Sequence, residues 1–185
     1  AGGWCERGSP GAGAGGGAGG SAGERRRIST EEKEWGIGVA VKFARGRCQV
    51  IAGTGSNSTR DAIAQTQAAE KLGVDGALVV APYYNKPSQE GLFQHFEAIA
   101  AATQFPIVHY NIHGRGAVDI GADRVVKLAC ACAHICATQQ TSRSDHQVSA
   151  HVARHRERYT DFNGDQPLTL TGVSMCAGAE IEPDV

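Results

Sequence analysis

The sequence predicts an α/β domain in which parallel strands alternate with helices. Short apolar runs alternate with segments of helical periodicity, the connections are short, and capping or turn residues mark most of the boundaries. Strands joined through helices in this way pair in parallel by right-handed crossovers. At 185 residues the chain is long enough for one domain with a sizeable core. The alternation alone does not distinguish an open, doubly wound sheet from part of a barrel.

The chain starts with a glycine-rich segment. Residues 1–23 are dominated by Gly, Ala and Ser, and we predict a flexible tail there, followed by a domain over residues 24–185. The segment contains a G-x-G-x-x-G match, but no apolar strand precedes it, so we predict no dinucleotide site. Ser29-Thr-Glu-Glu32 has the form of a capping box and predicts a helix that extends to about Ala44.

The later elements carry their own boundary signals. Ser58 and Ser88 are candidate N-cap residues, and Gly73 is a candidate C′ glycine at the end of the first of these helices. Along the chain the predicted elements are a strand over 49–53, a helix over 58–72, a strand over 77–81, a helix over 88–103, a strand over 107–112, a helix over 122–130, a strand over 135–138, a polar helix over 144–158 and a weak strand near Phe162.

Composition excludes several classes of function. The formal net charge is −1 and no basic face is evident, so we expect no nucleic-acid partner. No apolar run approaches the ~18 residues of a membrane span. The sequence also shows no basic segment followed by an apolar one of the kind that directs secretion. We therefore expect a cytoplasmic protein without a membrane partner.

Potential metal ligands cluster in one short run, Cys130-Ala-Cys-Ala-His-Ile-Cys136. These residues alternate instead of forming the C-x₂₋₄-C pairs that are typical of zinc sites. A helix end and a strand start are predicted inside the run, so the side chains need not converge. We expect reduced thiols, no metal site and no cofactor.

Polar side chains are predicted at the carboxyl ends of several strands, where active sites of parallel α/β proteins lie. Thr54 follows one strand, Tyr83 and Tyr84 follow the next, and Tyr110 and Gln139 lie near the ends of two more. A single tyrosine here is most often a packing residue. Two phenols on neighbouring strands favour a proton relay.

Three motifs resemble one family. They are Val50-Ile-Ala-Gly-Thr-Gly-Ser-Asn57, Ala81-Pro-Tyr-Tyr-Asn-Lys-Pro-Ser-Gln-Glu-Gly91 and Asn111-Ile-His-Gly-Arg115. Together they are similar to the pyruvate-dependent class I aldolases of the N-acetylneuraminate lyase family, and within it to the dihydrodipicolinate synthase branch. The likeness is close over residues 45–120. It implies an incomplete TIM (β/α)₈ barrel and a lyase that condenses pyruvate with aspartate semialdehyde in lysine (diaminopimelate) biosynthesis. It also implies a homo-oligomer, which is a tetramer in the family.

The resemblance assigns catalytic roles to three hydroxyl-bearing residues. Tyr110 resembles the tyrosine that moves protons during imine formation and cyclisation. Tyr84 resembles the second relay tyrosine, which in the family reaches into the site of a neighbouring subunit. Ser21 lies in Gly20-Ser-Ala-Gly-Glu24, which is similar to the family's Gly-Thr-Thr-Gly-Glu loop, and would supply the third relay hydroxyl.

The same comparison suggests substrate contacts. Arg115 resembles the arginine that receives the aldehyde substrate, and its planar guanidinium suits a carboxylate. The alternative is a solvated loop arginine. Asn111 lies beside it in the same motif and is predicted to contact substrate. Ala22 stands where the family has a threonine that helps to hold the carboxylate of pyruvate, so this hydroxyl is lost.

Gln139 departs from the family at its central catalytic position. His134-Ile-Cys-Ala-Thr-Gln-Gln-Thr-Ser142 is similar to a strand that in the family reads like Asn-Ile-Val-Gly-Ile-Lys-Glu-Ala-Thr. Gln139 thus replaces the Schiff-base lysine, and an amide nitrogen cannot form an imine. The resemblance therefore implies impaired catalysis. The alternatives are an inactive, truncated paralogue and a non-catalytic subunit that binds a keto acid.

Overall fold

A single parallel sheet forms the centre of the fold. The computed structural model describes residues 16–18, 28–44, 47–112, 117–140 and 160–163. The strands are β1 (Gly16–Ala18), β2 (Val50–Gly53), β3 (Gly76–Val80), β4 (Ile107–Asn111), β5 (Ile135–Gln140) and β6 (Thr160–Asn163). The helices of the described residues are α1 (Thr30–Ala44), α2 (Thr59–Lys71), α3 (Gln89–Ala101) and α4 (Ala122–Ala131).

Each strand pairs in parallel with the next one along the chain, so the sheet order is β1-β2-β3-β4-β5-β6. This order confirms the predicted parallel sheet. It also decides between the two architectures that the sequence left open. A doubly wound sheet reverses its strand order at a switch point, whereas a barrel adds its strands in sequence. The observed order is that of a barrel wall.

Helices cover one face of the sheet. Alternate residues of β3 and β4, such as Val79 and Ile107, pack with Leu92, Phe96 and Leu128 of the helices in the largest apolar cluster. The opposite face carries a smaller apolar cluster of Ile51, Val108, Cys136 and Ala137, with Leu78 against it. Because side chains alternate along a strand, neighbouring residues near the strand ends point to different faces.

The predicted helix boundaries are confirmed by their caps. The Ser29 backbone N–H donates to Glu32 Oε2 at 2.7 Å, and the Glu32 N–H donates to Ser29 Oγ at 3.2 Å. Ser58 and Ser88 cap α2 and α3 through hydrogen bonds to their side chains. Gly73 has a φ of 81°, the left-handed conformation that favours glycine after a helix. These local signals fixed the ends of the helices.

The structure differs from the sequence prediction at the start of the chain. Gly16–Ala18 lie within the segment predicted to be a flexible tail, but they form β1 and pair with Val50–Ala52 of β2. Strand pairing uses backbone groups, so residues with almost no side chain can join a sheet when an edge is available. The other residues of segment 1–23 lie outside the described residues, and the predicted domain boundary at residue 24 stays a prediction.

Two further predictions concern the second half of the chain. The weak strand near Phe162 is confirmed as β6, whereas the polar helix predicted over 144–158 lies outside the described residues. The cysteine run spans the end of α4 and the start of β5, as predicted, with Cys130 exposed and Cys132 and Cys136 buried. No helix in the described ranges has both the length and the apolar character needed to cross a bilayer.

Candidate functional site at the carboxyl edge of the sheet

All six strands end at one edge of the sheet because they are parallel. The described loops after β2 and β3 begin at this edge. Tyr110 and Gln139 belong to neighbouring strands here and are directly opposite each other in the register of β4 and β5. Residues that pair in this way direct their side chains to the same face. Tyr110 is 9% exposed and Gln139 is 5% exposed, so both side chains are largely buried.

A β-bulge produces the pairing of Tyr110 with Gln139. Ile107 pairs with Ile135, but the next residue of β4, Val108, pairs with Ala137, so that Cys136 is an extra residue in β5. Without it, the register of the first pair would place Thr138 opposite Tyr110 and would direct Gln139 toward the helices. The bulge therefore brings the two predicted site residues together on one face.

Tyr110 lies against apolar neighbours at this edge. It forms a buried cluster with Val80 and Ile112, and Leu78 and Tyr83 pack against the cluster. Val80 is its register partner on β3, on the side opposite to Gln139. Apolar packing of this kind restricts the orientation of the ring, while the hydroxyl is the polar end of the side chain.

Gln139 has an unusual environment for a buried amide. Its side-chain oxygen Oε1 is buried and has no hydrogen-bond partner among the described residues. Most buried polar side-chain atoms in folded proteins are paired, because an unpaired one loses its hydration without replacement. Gln139 thus places a buried polar side chain at the sheet edge, and its oxygen accepts no hydrogen bond from the described residues.

A second pair, which sequence reasoning missed, lies directly behind the first. His109 and Thr138 are opposite each other on the helix-facing side of β4 and β5. The Thr138 hydroxyl lies 3.0 Å from His109 Nδ1 and donates to the His109 carbonyl at 3.1 Å. The His109 ring also contacts Phe96 edge-on, with 4.6 Å between ring centroids. These contacts link β4 and β5 at the positions that precede Tyr110 and Gln139. The signal that could have revealed His109 and Thr138 in the sequence is a polar residue within an apolar run on each strand.

The second predicted relay residue, Tyr84, does not lie beside Tyr110. It is 85% exposed and has a φ of 72°, a left-handed conformation that is uncommon for a residue with a side chain. The next residue, Asn85, donates from Nδ2 to the Asn57 carbonyl at 3.0 Å and thereby ties this loop to the loop after β2. Tyr83, by contrast, packs against the Tyr110 cluster. Among the described tyrosines, the one that packs against the Tyr110 cluster is thus Tyr83.

The predicted substrate contact of Asn111 is corrected by the structure. Asn111 follows Tyr110 in β4, so it points to the helix-facing side, where it is fully buried. Its Nδ2 donates to Asp119 Oδ1, and its Oδ1 accepts from the Ile120 N–H at 3.4 Å. Gln89 holds the same segment by donating to the Asp119 carbonyl at 2.6 Å and accepting from the Gly121 N–H at 2.9 Å. Asn111 anchors the chain before α4 and does not face Gln139.

Thr54 follows β2 and is fully buried. The hydroxyls of Thr54 and Thr66 are 2.8 Å apart, so the Thr54 side chain is directed toward α2 and away from the Tyr110 face. The next residue, Gly55, approaches Val80 so closely that an added Cβ would lie 2.4 Å from the Val80 nitrogen. This close approach packs the loop after β2 against the end of β3.

Ser21, Ala22 and Arg115 lie outside the described residues, so their predicted roles stay predictions. In sequence, Ser21 comes three residues after the end of β1, and Arg115 comes four residues after the end of β4.

The five lysines of the chain are all described. Lys33, Lys42, Lys71 and Lys127 belong to helices, and Lys86 lies exposed in the loop after β3. None of them lies on the face of Tyr110 and Gln139.

Another buried histidine lies in α3. His95 Nδ1 is 2.8 Å from the Thr59 hydroxyl, and its ring contacts Phe96 edge-on. Burial lowers the pKa of His95 to about 4, because the surrounding apolar side chains disfavour its charged form. No group of three or more potential metal ligands occurs within the described ranges. Among the described residues, the polar side chains of the candidate site are those of Tyr110 and Gln139, with His109 and Thr138 behind them.

Comparison with known proteins places this geometry in a family context. The dihydrodipicolinate synthetase family matches residues 15–182 of the chain. The 4-hydroxy-tetrahydrodipicolinate synthase of Aquifex aeolicus is 43% identical over 155 residues, which are 84% of this chain and 53% of that protein. The chain thus spans about half the length of the curated relatives that it matches.

Solved structures agree with the sequence comparison. The crystal structure of dihydrodipicolinate synthase from Aquifex aeolicus superposes with a TM-score of 0.84 at 42% identity, covering 87% of this chain and 55% of that one. The chloride-inhibited dihydrodipicolinate synthase from Acinetobacter baumannii, complexed with pyruvate, gives a TM-score of 0.83 at 38% identity, covering 86% and 55% of the two chains. The likeness confirms that the parallel sheet is part of a TIM (β/α)₈ barrel.

Proposed function

Because the chain belongs to the dihydrodipicolinate synthetase family, we propose that the sheet edge at Tyr110 and Gln139 binds pyruvate or a similar 2-oxo acid. The reaction proposed for the whole protein is the condensation of pyruvate with aspartate semialdehyde, a lyase step of lysine biosynthesis. Relatives named 4-hydroxy-tetrahydrodipicolinate synthase and a neighbour solved with pyruvate support this proposal. The observation that carries it is the pairing of Tyr110 with Gln139 on one face of the barrel wall.

Tyr110 is the proposed proton-transfer residue. Its phenol lies at the carboxyl end of β4, where catalytic groups of barrel enzymes are found. The apolar contacts with Val80 and Ile112 hold the ring in place and exclude water from one side of it. Ser21 and Tyr84 are the other proposed relay residues, and Arg115 and Ala22 are at proposed substrate-contact positions. These four assignments are supported by sequence resemblance.

Gln139 limits the chemistry that this site can perform. The family reaction needs a neutral amine that adds to the ketone of pyruvate and an imine that then accepts electrons from the new carbanion. The lone pair of a carboxamide nitrogen is delocalised, so Gln139 can do neither. The lysines of α1, α2 and α4 lie on the far side of the sheet, and Lys86 lies exposed in the loop after β3. We therefore propose that this chain catalyses aldol condensation poorly or not at all.

Borohydride trapping tests the proposed impairment. The purified protein is mixed with pyruvate and borohydride, and its intact mass is measured, because reduction converts an imine into a stable adduct. We expect no adduct on protein that still melts cooperatively. A single adduct mapped to one lysine would show that imine chemistry proceeds from another position, and the impairment would then be refuted.

A second candidate function is a non-catalytic subunit or paralogue that binds a keto acid. The specific observation in its favour is that the buried Gln139 and Tyr110 pair on one face, so two of the proposed site residues lie together without an amine. This candidate predicts that pyruvate raises the melting temperature without forming a trapped adduct, since a ligand that binds only the folded state stabilises it. A melting temperature that stays constant up to high pyruvate concentration would argue against it.

The assembly of the protein is also a proposal. Tyr84 projects into solvent in a left-handed conformation, and by resemblance its counterpart in the family enters the site of a neighbouring subunit. We propose a homo-oligomer in which Tyr84 has this role. Light scattering combined with size-exclusion chromatography measures the state directly, and a monomer at all concentrations would refute the proposal. The expected cytoplasmic location stays a prediction.

A further inference from the structure

The side chain of Gln139 is a buried carboxamide with unused hydrogen-bonding capacity. It is 5% exposed, and its Oε1 has no partner among the described residues. A carboxamide offers two donor hydrogens and an acceptor oxygen in one plane, whereas the charged ammonium group of a lysine offers donor hydrogens and no acceptor. A buried carboxamide therefore suits a ligand group different from the one that an amine attacks.

The apolar surroundings of Gln139 leave its oxygen with few donors among the described residues. Val108 and Ile112 of β4 and Val80 of β3 lie on the same face, and their side chains have no hydrogen to donate. The phenol of Tyr110, the register partner, is the polar neighbour on this face, yet Oε1 has no partner among the described residues. Asp119 and Asn111 bind each other on the opposite face. Strand β5 would have to shift by one residue to bring the Gln139 amide to the face of Asn111 and Asp119. Such a shift would break the pairing of Gln139 with Tyr110.

The His109–Thr138 pair reinforces this register. Thr138 immediately precedes Gln139, and its hydroxyl contacts both the ring and the carbonyl of His109 at 3.0 and 3.1 Å. These bonds lie in the fully buried layer behind the site. They fix the strand positions from which Tyr110 and Gln139 project, so the fold determines the face of the sheet on which the Gln139 side chain lies.

The bonding capacity of Gln139 selects a hydroxyl as the ligand group. A ketone oxygen only accepts hydrogen bonds, so pyruvate cannot satisfy Oε1. An ammonium group only donates and would need a carboxylate partner, and none of the described residues supplies one on this face. A hydroxyl donates one bond and accepts others, so it can serve both the oxygen and the nitrogen of the carboxamide.

We propose that this site binds a small 2-hydroxy acid without a covalent bond, with the ligand hydroxyl donating to Gln139 Oε1 and accepting from Nε2. The acid part of this assignment rests on the proposed function, in which the same site receives a 2-oxo acid of the same carbon skeleton. The hydroxyl part rests on the environment of Gln139 alone. Tyr110, the register partner of Gln139, is the polar neighbour on the side facing β4.

Calorimetric titration with four probes of equal skeleton tests the inference on the unmodified protein. The probes are lactate, pyruvate, propionate and 2-methoxypropionate, and both enantiomers of the chiral acids are used. The probes differ at carbon 2. The hydroxyl of lactate donates and accepts hydrogen bonds, the ether oxygen of the methoxy acid and the ketone oxygen of pyruvate only accept, and propionate has no polar group there. We expect lactate to bind about 10-fold more tightly than propionate or 2-methoxypropionate, as a buried hydrogen bond predicts. Equal binding of all three would overturn the inference and would indicate that water serves the carboxamide equally well.

Variants at Gln139 give an independent measurement. Gln139→Met keeps the length of the side chain but removes its donor and acceptor, so the preference for lactate over propionate should disappear. Gln94→Met makes the same change at an exposed position of α3 and should keep the preference. Persistence of the preference in Gln139→Met would overturn the inference. If this variant fails to fold, the four-probe comparison on the unmodified protein still decides.

The titrations separate this inference from the proposed function. Binding of pyruvate and propionate without a preference for lactate would overturn the hydroxy-acid inference and leave the 2-oxo acid site standing. Absence of binding by all four acids, to a protein that melts cooperatively, would overturn both. Tight binding of lactate with weaker binding of pyruvate would support the inference and the acid site together.

Discussion

Tyr110 and Gln139 are opposite each other across β4 and β5 because β5 contains one residue more than β4 between the first pair and the site. Cys136 is that extra residue, and its Sγ lies 3.9 Å from the Ile107 carbonyl. A phenol and a carboxamide thus lie side by side at the carboxyl edge of the sheet. Because the two side chains share a face, we expect the residue type at position 139 to decide what chemistry this edge can perform.

Replacement of Gln139 by lysine should restore imine formation. Burial lowers the pKa of an amine, so the substituted side chain would present a neutral nucleophile beside Tyr110. We expect Gln139→Lys to give one pyruvate adduct after borohydride reduction, mapped to position 139 by peptide mass. The matched control, Gln94→Lys, adds an amine at an exposed helix position and should give none. A folded Gln139→Lys protein without an adduct would mean that other parts of the site are also lost.

The bond between Asn111 and Asp119 can be tested by reversing its chemistry. Asn111→Asp places a second carboxylate against Asp119 in a buried position, and we expect a loss of about 2 kcal/mol in unfolding free energy. In the double variant Asn111→Asp/Asp119→Asn an amide again faces a carboxylate, so most of the loss should be recovered. Urea unfolding of the four proteins gives the coupling energy. Additive losses would show that the two side chains do not interact.

Gly55 should tolerate no side chain. An added Cβ would lie 2.4 Å from the Val80 nitrogen, so Gly55→Ala forces the loop after β2 away from β3. We expect a destabilisation of about 3 kcal/mol in chemical unfolding. Gly36→Ala is the matched control because its Cβ meets no atom within 4 Å, and alanine should stabilise α1 by about 0.5–1 kcal/mol. Similar effects at both glycines would contradict the close approach at Gly55.

The unfolding free energy of the protein should decrease as the pH is lowered below about 6.5, because of His95. Burial lowers its pKa in the folded state to about 4, whereas the ordinary value is 6.5. Between these values the unfolded chain binds a proton that the folded protein excludes, so this contribution is complete above pH 6.5 and is lost toward pH 4. It amounts to about 3 kcal/mol.

Thermal or urea unfolding at several pH values measures this dependence. His95→Gln cannot titrate and retains a group that can meet the Thr59 hydroxyl, so its unfolding free energy should change less between pH 7 and pH 4. The difference between the two proteins isolates the histidine from all other titrating groups. Parallel curves for parent and variant would exclude His95 as the source.

The sequence predicted most of the fold because the signals for its elements are local. Ser29, Ser58, Ser88 and Gly73 act on groups within a few residues of themselves, and each boundary that they indicate is found in the structure. The strand β1 was not predicted because its signal is not local. Its residues Gly16–Ala18 carry almost no side-chain information, and a neighbouring strand far along the chain supplies their partners.

The sequence also determined which residues are candidates for the site, since strand ends, residue chemistry and family resemblance can be read without a structure. It predicted Tyr110, Tyr84, Gln139 and Asn111 as one group. Only the tertiary structure decided that Tyr110 and Gln139 share a face, that Asn111 faces the helices and that Tyr84 points into solvent. The physical reason is that the face of a strand residue depends on register, and a single bulge, formed by contacts between distant segments, reverses it.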